Sequence, residues 1–253
     1  RTRVVLDIEG NQRQVIDAND RIVMHYDYHM AGPAQDENGE ATNSNLIHQS
    51  SMEAGQRWMI NDVSGQAIRA WDNRGHRYFT EYDPLRRPLR SFVTGADPEN
   101  PEQQLLTERM VYGEQHPQAA SRNLRGSLYL HFETAGVVSV EAIDFKGNPL
   151  RASRRLATEY KKAIDWSVVE AALPADATTP IAIEALEATL SQLLEADTYT
   201  SHTAYDALNR PIELSSPHTP TMLASIIRPA YNEANLLERG EANLQGAADR
   251  KSV

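Results

Sequence analysis

YDALNRPIEL, residues 205–214, places an aromatic, an acid, an amide and a guanidinium within its first six positions. An active site needs such a phrase once. This chain writes it again at residues 82–92, YDPLRRPLRSF, about 120 residues earlier. A phrase that recurs points to a structural unit.

With the Asp as origin and Gly, Asn, Asp or Arg required three residues later, seven segments match. They are DIEGN (Asp7, Gly10), DANDR (Asp17), DVSGQ (Asp62, Gly65), DNRGH (Asp72, Gly75), DPLRR (Asp83), DFKGN (Asp144, Gly147) and DALNR (Asp206, Asn209). ETAGV from Glu133 and NEANL from Asn232 are looser copies. Neighbouring copies lie 10 or 11 residues apart, the spacing of short strands joined by turns.

Each position has a physical task. The residue before the Asp is apolar in six copies (Leu6, Ile16, Trp71, Tyr82, Ile143, Tyr205) and ends an incoming strand. The carboxylate accepts backbone N–H groups further along and closes a turn. Gly or Asn three residues later tolerates the positive φ of a type I turn with a bulge. An apolar side chain returns six residues after the Asp at Val23, Ile68, Tyr78, Leu89, Leu150 and Ile212; Arg13 is the exception. Pro88, Pro149 and Pro211 stand just before that position, where Pro is tolerated as the first residue of a strand. The unit reads strand, tight turn, strand. Acid catalysis needs two carboxylates converging on one substrate, whereas these acids are spread over seven turns. The chain is expected to be no enzyme and to need no cofactor.

The chain has 253 residues, a net charge of −10, 40% hydrophobic content and no cysteine. It can build a core. The charge and the absence of a dense Lys/Arg run argue against tracking along nucleic acid. Disulfides, thiolate metal sites and Cys nucleophiles are excluded. No apolar run reaches 18 residues, so no membrane-spanning helix is expected. No signal peptide is visible. The sequence opens with Arg1 and runs straight into Val4-Val5-Leu6, as a piece of a longer polypeptide would.

YDALNRP, YDPLRRP, WDNRGH and DFKGN resemble YD repeats, also called Rhs repeats. Their usual phrase is Tyr-Asp-x-x-Gly-Arg followed by an apolar residue. Tyr205-Asp206 with Arg210 and Tyr82-Asp83 with Arg87 fit it, with Asn209 and Arg86 in place of Gly. HYDYHMAG, IHQSSMEAG, RWMINDVSG, IRAWDNRGH and YNEANLLERG are similar to the B and C components of bacterial insecticidal toxin complexes. The resemblance implies a mainly β fold: an antiparallel hairpin meander, one slice of a curved shell that encloses a client or a C-terminal toxin segment. It implies adjoining repeats or a partner toxin subunit as neighbours, and secretion or cell-surface delivery from a bacterium. The self-cleaving core and the variable toxin tail of the family have no counterpart in this sequence. A slice would also leave strand edges open to association.

Residues 1–253 are expected to form a single YD-repeat region with two insertions. Residues 33–45, PAQDENGEATNSN, read as a polar loop that follows a turn entry at Tyr26-Asp27. Residues 96–104 and 114–123 read as further loops. Residues 153–197 change period. Leu156, Tyr160, Ile164 and Val168 sit four apart, as on one helical face. Pro180 opens a second helix, with Thr179 as N-cap and Ile183, Leu186, Leu190 and Leu193 as its apolar stripe. The expected result is a helical hairpin over the sheet.

Two further chemistries are open. His25, Asp27 and His29 alternate as on a strand face, and two imidazoles with a carboxylate suit zinc; a metal-dependent hydrolase would follow from that. The turn entry expected at Tyr26-Asp27 would interrupt the alternation. Exposed aromatics among Tyr26, Tyr28, Trp58, Trp71, Tyr78, Phe79, Tyr82, Tyr205 and Tyr231 would suit glycans, by stacking on sugar rings. No nucleophile elbow, P-loop or dinucleotide fingerprint is present.

Overall fold

The structure, a computed structural model, describes residues 1–29 and 46–244 and the backbone of 247–252. The loop expected at 33–45 lies outside the described residues. The chain is mainly antiparallel β and divides into two compact units, Arg1–Leu105 and Leu106–Val253.

Among the described residues the first unit is a meander of eight strands: β1 (Arg3–Leu6), β2 (Gln12–Ile16), β3 (Ile22–Tyr28), β4 (Leu46–Ser51), β5 (Gly55–Asn61), β6 (Ala67–Asp72), β7 (Arg77–Tyr82) and β8 (Pro88–Thr94). Each pairs antiparallel with the next. The recurring turn sets the register. The residue before the turn Asp lies opposite the residue five after it: Leu6 faces Gln12, Ile16 faces Ile22, Asn61 faces Ala67, Trp71 faces Arg77 and Tyr82 faces Pro88. Among the described residues of this unit, Ile16, Val93 and Leu105 are the buried apolar side chains. The sheet is therefore a single layer with both faces largely open. Most small domains instead bury one layer against another.

The second unit starts within β9 (Gln104–Tyr112). It continues through β10 (Leu128–Glu133), β11 (Gly136–Ile143), β12 (Pro149–Leu156), β13 (Tyr199–Tyr205), β14 (Pro211–His218), β15 (Ile226–Tyr231), β16 (Leu237–Leu244) and β17 (Ala247–Ser252). These strands also pair antiparallel in order. Its core lies between the first strands and the segment linking β12 to β13. Trp166 is fully buried and meets Phe132 edge-on at 5.2 Å, with its Nε1 donating to the Glu133 carbonyl at 3.2 Å. Val169, Leu173, Ile181, Leu186, Leu190 and Leu194 complete the buried cover. Buried Arg109 on β9 donates from Nε to Glu170 Oε1 at 2.6 Å, so the cover is tied to the sheet by charge as well as by packing.

That segment corrects the expected helical hairpin. Residues 153–156 belong to β12. Ala157 bridges to Leu194, and the Thr158 N–H donates to the Leu193 carbonyl at 3.0 Å, so both ends of the insertion are extended and paired. The fourfold spacing of Leu156, Tyr160, Ile164 and Val168 is not a helix: Leu156 ends a strand, Tyr160 is 82% exposed and Ile164 is buried outside any helix. A 3-10 helix, Trp166–Ala172, is capped by Asp165, which accepts the N–H of Ser167. The second helix exists as α1 (Ile183–Leu190) and buries Leu186 and Leu190, whereas Ile183 is exposed. Its N-cap position is Ala182, not Thr179; the Thr179 hydroxyl instead donates to Asp176 at 3.2 Å within the preceding turn.

Candidate functional site

All seven Asp turns form, and the geometry repeats. At Asp206 the backbone N–H donates to the Arg210 carbonyl at 3.0 Å, and the Asn209 N–H donates back to the Asp206 carbonyl at 3.1 Å. The side-chain Oδ1 accepts the N–H groups of Leu208 at 2.8 Å and Arg210 at 3.0 Å. The same pair of carboxylate bonds, to residues two and four further on, forms at Asp7, Asp17, Asp62, Asp72 and Asp144. At Asp83 the bond to Arg87 N–H is 2.8 Å. Asn232, a looser copy in the sequence, makes the full set through its amide oxygen. Glu133 does not. It ends β10 opposite Gly136 across a two-residue hairpin loop, and its carboxylate pairs with Arg154.

The third position after the Asp is left-handed in all eight turns: Gly10, Asp20, Gly65, Gly75, Arg86, Gly147, Asn209 and Asn235 have φ between 58° and 92°. Gly, Asn and Asp reach this region at lower cost, whereas Arg86 pays a steric penalty.

The fourth position carries a second clamp. Oδ2 of the turn Asp accepts the side chain of Arg21 at 2.8 Å, His76 at 2.9 Å, Arg87 at 2.7 Å, Asn148 at 2.9 Å and Arg210 at 2.7 Å. This is what the Arg of the repeated phrase does: it locks its own turn with a charge-assisted bond. At Asp17, Asp144 and Asp206 these contacts hold the carboxyl below the ordinary Asp value. At Asp206 and Asp17 the strongest cause is the backbone N–H of Arg210 or Arg21; at Asp144 it is the Asn148 side-chain amide.

Turns that share a sheet edge are joined to each other. A tyrosine at the end of a strand reaches back to the preceding turn on its edge. Tyr28 Oη donates to the Gln12 carbonyl at 3.0 Å, Tyr82 to Ala67 at 2.7 Å and Tyr231 to Pro211 at 3.1 Å. In each case the acceptor is the fifth residue after the earlier Asp. Side chains add to the stitch: Asn148 donates to Asn209 at 3.1 Å, Arg86 pairs with Asp62, and Lys146 reaches the Ala207 carbonyl. The guanidinium of Arg210 lies 4.7 Å from the centre of the Tyr231 ring. Aromatic, acid, left-handed residue and cation therefore form one device. It closes a turn and bolts it to the next turn but one.

The His25, Asp27 and His29 trio is rearranged. β3 runs unbroken to Tyr28, so no turn begins at Tyr26-Asp27 and the strand alternation holds. His25 lies 3.2 Å from Asp27, as the alternation allows. The second imidazole on Asp27 is His48, at 2.8 Å from the neighbouring β4, whereas His29 lies beyond the strand end and is exposed. His48 could be found only from the pairing of β3 with β4. Among the described residues no three His, Asp or Glu groups come together as metal ligands. The aromatics divide between faces. Asp27, His48, Trp58, Trp71 and Arg77 stand opposite one another across five strands, and His48 stacks on Trp58 at 5.2 Å.

No protein-family model matches the chain. It is similar to toxin subunit YenC2 of Yersinia entomophaga, with 29% identity over 127 residues, which cover 45% of this chain and 13% of that subunit. Among solved structures, TcdB2-TccC3 superposes over 100% of this chain with a TM-score of 0.67 and 22% identity. The Photorhabdus luminescens Tc holotoxin pore superposes over 100% with a TM-score of 0.65 and 22% identity. The fold is that of the matching segment of TcdB2-TccC3. The chain spans 11% of the length of that structure's matching chain. The resemblance to the B and C components of toxin complexes is thus carried by sequence and by fold. Among the described residues no helix is long and apolar enough to cross a membrane.

Proposed function

We propose that this chain is a wall segment of a larger toxin-associated shell and works by geometry rather than by catalysis. The observation that carries the reading is the single-layered first unit. Its strands are held at their turns by Asp, Tyr and Arg contacts, while few apolar side chains are buried. A sheet built this way gains little from a core of its own, and stacked neighbours must supply the rest. The similarity to TcdB2-TccC3 supports adjoining repeats or a partner toxin subunit as those neighbours, and a polypeptide client as the cargo. Delivery outside the producing bacterium follows from the same likeness.

The test is protease protection. The native protein that carries these residues is isolated, and a polypeptide bound within it is challenged with protease before and after mild acid unfolding. Protection that is lost on unfolding supports the reading. A cargo-free particle whose two sheet faces are equally open to protease overturns it.

The paired Trp58 and Trp71 favour one second reading, a carbohydrate-binding face, because indoles on adjacent strands can stack on sugar rings. A glycan array compared with Trp71→Ala distinguishes it from the shell.

A further inference from the structure

The second unit contains a cavity of about 340 Å³ between α1 and the face of the sheet that carries Leu130 and Val137. That is at the small end of ligand pockets, which run from about 300 to 1,000 Å³. One wall is apolar: Leu130, Val137, Leu186 and Leu190 are each at most 6% exposed.

The opposite side is polar, lined by Arg122 and Arg155 and by Glu141 and Glu187. Glu187 is paired with Arg155 at 2.7 Å and Glu141 with Arg151 at 2.8 Å. Arg122 makes neutral contacts: Nε donates to the Gln118 amide oxygen at 3.0 Å and Nη1 to the Glu141 carbonyl at 3.3 Å. Among the described residues it has no carboxylate partner. Two more donors line the cavity. The Tyr129 hydroxyl has no hydrogen-bond partner among the described residues, and burial raises its pKa, so the phenol keeps its proton. His116 is 5% exposed, and its Nδ1 accepts the Gln118 N–H at 2.8 Å, which puts the ring proton on Nε2. Burial, and then the Arg122 charge, lower its pKa and keep the ring neutral.

One guanidinium held only by neutral contacts, a phenol and an imidazole N–H beside a leucine wall match a particular chemistry. We infer that this cavity binds a small amphipathic carboxylic acid, its carboxylate at Arg122 and Tyr129 and its hydrocarbon against α1. Guanidinium binds a carboxylate through charge-assisted bonds that an alcohol cannot replace.

Octanoate is the probe and octanol its uncharged counterpart, titrated into the protein and followed by thermal shift and by NMR of the backbone amides. The expected result is saturable octanoate binding that raises the melting temperature and shifts α1 and β11 resonances. Octanol is expected to bind at least roughly tenfold more weakly, and Arg122→Gln to weaken octanoate by a similar factor while leaving octanol unchanged. Arg122 is exposed, so this variant keeps the fold. Leu190→Trp, which fills the cavity, is expected to abolish both. The proposal is overturned if octanoate does not saturate at millimolar concentration, or if octanoate binds Arg122→Gln as it binds the wild type.

Discussion

Arg210 donates from Nη1 to Asn235 Oδ1 at 2.7 Å, joining two turns that lie 25 residues apart in the chain. Its Nε and Nη2 each lie 2.7 Å from Oδ2 of Asp206, its own turn's acid, and its guanidinium covers Tyr231. Planarity and five donors are needed for all three contacts, and Lys has neither. Arg210→Lys is therefore expected to behave as Arg210→Ala does. Each should lower the melting temperature by about 3 °C, the scale of 1 kcal/mol in a chain of this size. A double-mutant cycle with Tyr231→Leu measures the coupling. If Lys restores wild-type stability, the guanidinium geometry does not matter.

The turn acids differ in burial, which ranks them. Asp83 is 4% exposed and holds Arg87 through both its backbone N–H and its Nε. Asp83→Ala removes both bonds and is expected to cost about 3 kcal/mol, measured by urea unfolding. Asp206→Ala, at an exposed turn, should cost clearly less. Equal costs would show that the carboxylate acts only through local turn geometry.

Much of this was legible in sequence, for a physical reason. A turn acid bonds to groups two and four residues on, so its partners are written beside it, and Asn209 and Gly147 reveal themselves by the backbone angle they tolerate. The tyrosine was read only as a strand anchor. Its hydroxyl acceptor depends on which turns share an edge, and no local spacing states that. His48 was missed as the partner of Asp27 for the same reason. The false helix at Leu156, Tyr160, Ile164 and Val168 arose because a fourfold spacing does not state burial: Ile164 is buried, whereas Tyr160 and Val168 face solvent. Ala157 and Leu194 pair with each other and pull the ends straight.

Acid should loosen the edges before it harms the covered core. Asp206, Asp17 and Asp144 have carboxyls held below the ordinary value, through the Arg210 and Arg21 backbone N–H groups and the Asn148 amide respectively. A depressed folded-state pKa gives stability that is present above the unfolded value of about 3.9 and is lost as pH falls through the lower folded value. Hydrogen exchange at the N–H groups of Leu208 and Arg210 should therefore accelerate below about pH 4, corrected for intrinsic rates, while Phe132 and Trp166 stay protected. Simultaneous loss at both places would mean that turns and core unfold as one unit.

Glycines separate backbone strain from lack of room. At Gly10 and Gly147 an added Cβ meets nothing within 4 Å, but φ is 85° and 92°. Ala at either site should cost about 1–2 kcal/mol through conformation alone, and Asn, which Asn209 and Asn235 show to fit this position, should cost less. Gly113 is the opposite case: its φ is ordinary, but a Cβ would collide with the Leu124 carbonyl, which is backbone and cannot turn aside. Ala and Asn should be equally damaging there. Thermal melts of the six variants check the pattern. If Asn rescues position 113 as it rescues position 10, the close approach of Gly113 to Leu124 is not what holds the β9–β10 connection.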